Sequence, residues 1–243
     1  MIILGIESAS LTASCALLTE TQVLAEFTTN FKKTHSETLL PMVSECLTMV
    51  DKTVADVDAI AVSVGPGSFT GLRIGVSTVK GLAYGAGKPV VAVPTLDAMA
   101  YGFFGSDFIL CPIMDARRGE VYTGLYSFDG EAFLVHEGAN ACPITEQVEK
   151  AKALSEQLEK TVCFFGDGVP VFREQIEALF PEAVFAPAHL LLQKASAVAA
   201  LGMEMMKKGE TVDAFTIEPL YLRESQAERE RREAGLSTDP QEI

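Results

Sequence analysis

Three carboxylates stand at the ends of apolar runs: Glu7 after Ile2–Ile6, Asp115 after Phe108–Met114, and Glu120 at the start of Glu120–Phe128. With Ser8 and Ser10 beside the first, they form an oxygen-rich set, the donor type that a hard cation such as Mg²⁺ takes. The same segments support a second reading, in which Arg117 and Arg118 pair with these acids as structural ion pairs. Glu7, Ser8, Ser10, Asp115 and Glu120 are therefore a candidate nucleotide or ion site, vestigial if the arginines occupy the acids.

Other chemistry is thinly represented. The three histidines (His35, His136, His189) are far apart and show no ligand spacing such as His-Glu-x-x-His. His35 reads as a residue at the start of a helix. The five cysteines at 15, 46, 111, 142 and 163 have no paired spacing, which favours buried free thiols over a zinc site or disulfides. No Gly-x-Ser-x-Gly elbow marks a nucleophile. The residues thus predict no catalytic group, no metal and no cofactor.

The segment Gly65-Pro66-Gly67-Ser68-Phe69-Thr70-Gly71-Leu72-Arg73-Ile74-Gly75 is the most informative. It reads as a strand end, a tight turn and a helix N-terminus, whose free N–H groups favour an anion or a buried polar contact. It is neither a P-loop nor a three-glycine dinucleotide turn. The helix then carries Gly71, Gly75, Gly81 and Gly85, although a mid-helix glycine costs about 1 kcal/mol relative to alanine. Gly71, Gly75, Thr78 and Gly85 share one face, while Leu72, Val76 and Val79 can pack. Such a stripe admits another backbone closely, either that of the chain's own sheet or that of another molecule.

Among 243 residues, 19 are Lys or Arg and 33 are Asp or Glu, giving a net charge of −14. Polyanion binding draws on Lys and Arg, so a stand-alone nucleic-acid binder is disfavoured. The longest apolar region, Leu190–Met206, is interrupted by Lys194 and Glu204, and no span reaches the ~20 apolar residues of a membrane helix. The chain also opens without a basic leader, so a cytoplasmic location is expected.

Element order suggests an internal repeat. Strands at Ile2–Ile6, Ala13–Leu18 and Val23–Thr29 precede a helix opened by Thr34-His35-Ser36-Glu37, which has capping-box spacing and contains Pro41. Then come a strand (Ala59–Val64), a helix (Thr70–Gly85), a strand (Val90–Val93) and a helix from Thr95. The pattern restarts with strands at Phe108–Met114, Glu120–Phe128 and Ala132–His136, with Asp129-Gly130 as a hairpin turn. A helix over Thr145–Lys160, a strand over Val162–Phe165, and helices over Val169–Phe180 and Leu190–Lys208 follow. We expect two similar α/β lobes, residues 1–105 and 106–222, and a charged tail over 223–243.

The Gly65–Gly75 string, followed by Lys80-Gly81-Leu82-Ala83, resembles the hallmark of the TsaB (YeaZ) family. Further matches are Ile3–Ser8, Thr34–Glu37 with Leu40-Pro41, Asp115–Tyr122, Gly166-Asp167-Gly168 and Pro219-Leu220-Tyr221-Leu222-Arg223. The resemblance implies an actin-like ATPase (ASKHA) fold, with two similar lobes, each a mixed sheet flanked by helices. It also implies a non-catalytic partner of TsaD that works with TsaE. Together these place threonylcarbamoyl, supplied by TsaC, on the adenosine beside the anticodon of tRNAs reading codons that start with A. In TsaD a metal is held by two histidines at positions matching Thr95 and Met99 here, so no metal is implied. The phosphate turns of the fold need glycines that these turns lack, which favours the vestigial reading. A homodimer is expected when the chain is alone, with tRNA met only through the complex. The expected interface comprises Thr70, Gly71, Leu72, Arg73, Gly75, Val76, Thr78 and Val79 on one helix, with His35 and Leu39 on another. The alternatives are an ATP-dependent small-molecule kinase of the same fold and a metallopeptidase.

Overall fold

The computed structural model describes residues 1–223. Apart from Arg223, the tail expected over 223–243 lies outside the described residues. The first lobe begins with β1 (Ile2–Glu7), β2 (Ala13–Thr19) and β3 (Val23–Thr29), joined as an antiparallel meander. Helix α1 (His35–Thr48) follows, then β4 (Ala59–Gly65), α2 (Phe69–Ala86), β5 (Val90–Pro94) and α3 (Thr95–Tyr101). Strands β4 and β1 are parallel, as are β4 and β5, giving the sheet order β3-β2-β1-β4-β5. Every residue of β4 is buried, as its unbroken Ala-Ile-Ala-Val run requires of a strand covered on both faces.

The second lobe repeats this plan. Its strands are β6 (Ile109–Arg117), β7 (Glu120–Asp129), β8 (Ala132–Pro143), β9 (Val162–Phe165) and β10 (Val184–Phe185), in the order β10-β9-β6-β7-β8. Read from the other edge, that is the first lobe's order. Helices α4 (Ile144–Leu158), α5 (Val169–Leu179) and α6 (Ala188–Leu191) lie among them, and α7 (Ala195–Lys207) ends the regular structure. Two like lobes of mixed sheet and helix constitute the actin-like ATPase fold.

Several elements differ from the sequence reading. Thr34 opens α1 without a side-chain cap, so the capping box is not made; its carbonyl instead accepts from Thr38 Oγ1 at 3.2 Å. Pro41 sits inside α1 without ending it. Strand β8 runs to Pro143, well past His136, and β10 has no counterpart in the sequence pattern because two residues carry no period. The single helix expected over Leu190–Lys208 is two, separated at Leu192–Lys194.

The most consequential difference concerns the second lobe, expected over 106–222. Helix α7 packs on the first sheet, where Val198, Ala199 and Met203 join Ile3, Ala59, Ala61, Val91 and Val93 in one buried cluster. A Cβ on Gly5 would fall 2.3 Å from the Ala195 carbonyl oxygen, so this strand and helix touch backbone to backbone. Beyond it, Val212 pairs with Val90, and Ala214 and Ile217 enter the first lobe's core. The chain therefore returns to the first lobe from about residue 195. Helices α1 and α2 cover one face of that lobe's sheet and α7 the other. An apolar cluster containing Leu72, Leu96 and Met99 from the first half and Leu110, Met114 and Phe165 from the second joins the lobes.

Candidate functional site

The β1–β2 turn and the β6–β7 turn face a cleft of about 450 Å³ between the lobes, lined by Ser10, Lys33, Thr70, Asp115, Arg117 and Asp167 among others. A phosphate here would need free backbone amides. In the first turn the Ala9 amide donates to Glu7 Oε1 at 2.6 Å and the Thr12 amide to Ser10 Oγ at 3.1 Å. In the second, the Arg117 amide donates to Asp115 Oδ1 at 2.8 Å. Glu7 and Asp115 thus do the same thing in the two lobes, each satisfying the amide two residues on.

The ion pairs follow in part. Arg117 Nη1 lies 3.0 Å from Asp115 Oδ2, as the arginine reading expected. Glu120 instead pairs with Arg223 from the returning segment, and Arg223 also donates to the Ala116 carbonyl at 3.2 Å. Arg117, Arg118 and Gly119 have φ values of 69°, 59° and 79°, so the turn holds two bulky residues in left-handed geometry. Glu7, Asp115 and Glu120 are accordingly committed to separate partners. Among the described residues no three His, Cys, Asp or Glu side chains gather in a way that would hold a metal ion. Thr95 and Met99 are structural: the Thr95 hydroxyl accepts from the Gly65 amide at 3.1 Å, and Met99 is in the apolar cluster between the lobes.

Two carboxyls are electrostatically unusual. Burial pushes Glu7 up to about 7, with the Asp167 carboxylate acting in the same direction and the Ala9 amide opposing. Burial pushes Asp167 up to about 6, with Asp115 adding to the rise. Asp167 lies beside Gln193, whose Oε1 accepts from Ser10 Oγ at 3.1 Å. The only sequence signal for Asp167 was its place between two glycines after β9.

The helix-face residues separate into two groups. Gly71 and Gly75 are turned inward: a Cβ on Gly71 would lie 2.1 Å from the Ser8 carbonyl oxygen, and one on Gly75 would lie 2.1 Å from Ser8 Oγ. Ser8 Oγ in turn donates to the Gly71 carbonyl at 2.9 Å. The stripe exists so that α2 can lie against the β1–β2 turn. Leu72, Val76, Val79 and Leu39 are core residues, and His35 is buried, its Nε2 donating to the Ser10 carbonyl at 2.7 Å. These seven positions cannot form a docking surface with their own side chains. This corrects the interface expected from the stripe.

Thr70 and Arg73 are exposed and Thr78 half-exposed. Gly81 and Gly85 look outward, with nothing within 4 Å of a Cβ placed on either. Between α1 and α2, Met42, Ile74 and Leu82 are half-buried and apolar. Arg73 is engaged within the chain: its Nε donates to Tyr221 Oη at 3.1 Å and its guanidinium sits 4.0 Å from the Phe69 ring centroid. Tyr221 stacks on the same ring at 4.7 Å, and the Leu220 amide donates to the Val64 carbonyl at 2.7 Å. The Pro219–Arg223 segment therefore ties the start of α2 to the second lobe's turn.

Comparison with known proteins accords with this arrangement. Residues 22–231 match the family model described as "TsaD: tRNA N6-adenosine threonylcarbamoyltransferase". The tRNA threonylcarbamoyladenosine biosynthesis protein TsaB of Bacillus subtilis is 35% identical over 94% of this chain and 96% of its own length. The Escherichia coli protein of the same name is 34% identical over 93% and 96%. The solved structure of YeaZ from Pseudomonas aeruginosa superimposes with a TM-score of 0.77 at 29% identity, covering 91% of this chain and 99% of that one. A duplicated two-lobed body, occupied cleft turns and relatives matched almost end to end agree with the motifs at Gly65–Gly75 and Asp115–Tyr122, and the chain belongs to the TsaB (YeaZ) family of tRNA threonylcarbamoyladenosine biosynthesis.

Proposed function

We propose that this chain is a non-catalytic scaffold subunit that binds TsaD, and with it TsaE, during threonylcarbamoylation of the adenosine beside the anticodon. The observation that carries the reading is the matched pair of cleft-turn carboxylates, Glu7 and Asp115, each of which holds the amide two residues on that a phosphate would otherwise take. With the Ala9, Thr12 and Arg117 amides engaged, these turns have fewer donors to offer a nucleotide, and the positions matching the metal ligands of TsaD hold Thr95 and Met99. The chain works in the cytoplasm, forms a homodimer when alone, and meets tRNA through the complex.

Docking uses the exposed edge of α2 that runs from the mouth of the cleft, where Thr70 and Ile74 lie, through Thr78 to Gly81 and Gly85, together with the half-buried Met42 of α1. The two outward glycines let a partner helix approach closely, while Gly71 and Gly75 act behind them by seating α2. The test is Gly81→Phe, whose Cβ meets no atom of the chain. The variant is expected to melt like wild type but to lose co-purification with TsaD; wild-type recovery of TsaD refutes the face. Titration calorimetry with Mg-ATP is expected to give no binding heat, and tight binding with turnover would favour the kinase reading.

A further inference from the structure

A second groove, of about 330 Å³, runs along the flank of α2 that faces away from α1, bordered by Arg73, Ser77, Lys80, Glu218 and Tyr221. At one end Arg73, Phe69 and Tyr221 form the stacked cluster described above. At the other, Tyr84 and Phe215 meet edge to face at 5.0 Å, and these rings are 68% and 69% exposed. Lys80 lies between the two, its Nζ donating to the Phe215 carbonyl at 3.2 Å. Arg73 and Lys80 outnumber Glu218 within the groove itself, and the Asp213 carboxylate, which accepts from the Phe215 amide at 2.8 Å, lies at its far end, so the positive sign belongs to the Arg73–Lys80 stretch of a chain of net charge −14. At physiological salt, charges beyond about 8 Å are largely screened, so the local sign decides what approaches.

The chemistry asks for a ligand that is anionic and carries planar rings. Among the described residues Arg73 donates a hydrogen bond through its Nε alone, with its guanidinium over Phe69; Lys80 offers a compact charge beside the Phe215 carbonyl; Tyr84, Phe215 and Tyr221 offer exposed aromatic surface. An acidic peptide would satisfy the cations and leave the rings unused. Single-stranded RNA uses both, with phosphates on the cations and bases on the rings. We propose that the groove between α2 and residues 215–221 is this chain's own RNA-contacting surface, holding a short unpaired stretch of the substrate RNA while other subunits supply most of the affinity. The proposal rests on the tRNA-modification reading above.

The test uses the full chain at physiological ionic strength with a short thiouridine-bearing single-stranded RNA, cross-linked by near-ultraviolet light and mapped by mass spectrometry. Cross-links are expected on Tyr84, Phe215 or Tyr221. Lys80→Glu, which leaves the Arg73–Tyr221 contact in place, is expected to reduce their yield about tenfold, the scale of a lost charge-assisted contact. Tyr84→Ala is expected to reduce it about fivefold, the low end of one stacked base. Added salt should suppress what remains. Absence of cross-links, cross-links elsewhere, or an unchanged yield in Lys80→Glu overturns the proposal. So does loss of TsaD co-purification by Lys80→Glu, which would assign the groove to the protein interface and leave the scaffold reading standing. Cross-links in the groove with no TsaD association by wild type would do the reverse.

Discussion

Glu7 sits at the end of β1 with 1% of its surface exposed, bound to the Ala9 amide and close to Asp167. Its carboxyl rises from 4.5 to about 7 because burial penalises the charged form. The folded state therefore holds the proton more tightly than the unfolded one. That contribution to stability is complete below pH 4.5 and is lost as pH climbs through 7. Glu7→Gln keeps an acceptor for the Ala9 amide and removes the charge. It is expected to be more stable than wild type above pH 7 by about 3 kcal/mol, with the gain vanishing below pH 4.5; denaturant melts across that range check it. The glycines of α2 give a second contrast. Gly75→Ala places a methyl against Ser8 and is expected to cost about 1–3 kcal/mol, whereas Gly81→Ala meets nothing and should gain up to about 1 kcal/mol in thermal melts. Spacing alone does not separate these outcomes. Residues four apart share a face whichever way that face looks, and the direction here is set by Ser8, sixty-three residues away from Gly71.

Most elements were legible because apolar runs and periodicity reflect burial, which is locally encoded. β4, wholly buried, and α2, capped by Ser68 Oγ on the Gly71 amide, fall almost where the pattern puts them. What the pattern omits is the destination of an element. Helix α7 shows an apolar stripe that fits either sheet; its assignment follows from small residues on both sides, Gly5 and Ala61 facing Ala195, Ala199 and Gly202. The same holds for the cleft acids, recognised as chemistry-bearing from their positions, while Arg223, the partner of Glu120, lies too far along the chain for spacing to find. A fragment of residues 1–105 is therefore expected to expose the face of its sheet that Val198, Ala199 and Met203 cover, and to aggregate. Supplying residues 190–223 in trans should rescue it, with recovery in the soluble fraction as the measure.

Across the whole molecule, the lobes are held by the apolar cluster around Leu72, Met99 and Phe165 and by the Pro219–Arg223 segment, which reaches Val64 in one lobe and Glu120 in the other. Ending the chain at Glu218 removes both attachments but leaves α7 in place. Small-angle scattering on that truncation is expected to show a larger radius of gyration with little change in secondary structure by circular dichroism. An unchanged radius would mean that the apolar cluster alone fixes the lobes.

The return of α7 also sets an order of maturation during synthesis. The first lobe's sheet leaves the ribosome early, yet the helix that covers one of its faces ends at Lys207, so that face waits while the second lobe, contiguous from Ile109 to Leu191, can close upon itself. At elongation rates of about 5–20 residues per second the wait is roughly 5–20 seconds. The half translated first is thus the half completed last, and during that interval its uncovered strands are natural clients for a holding chaperone.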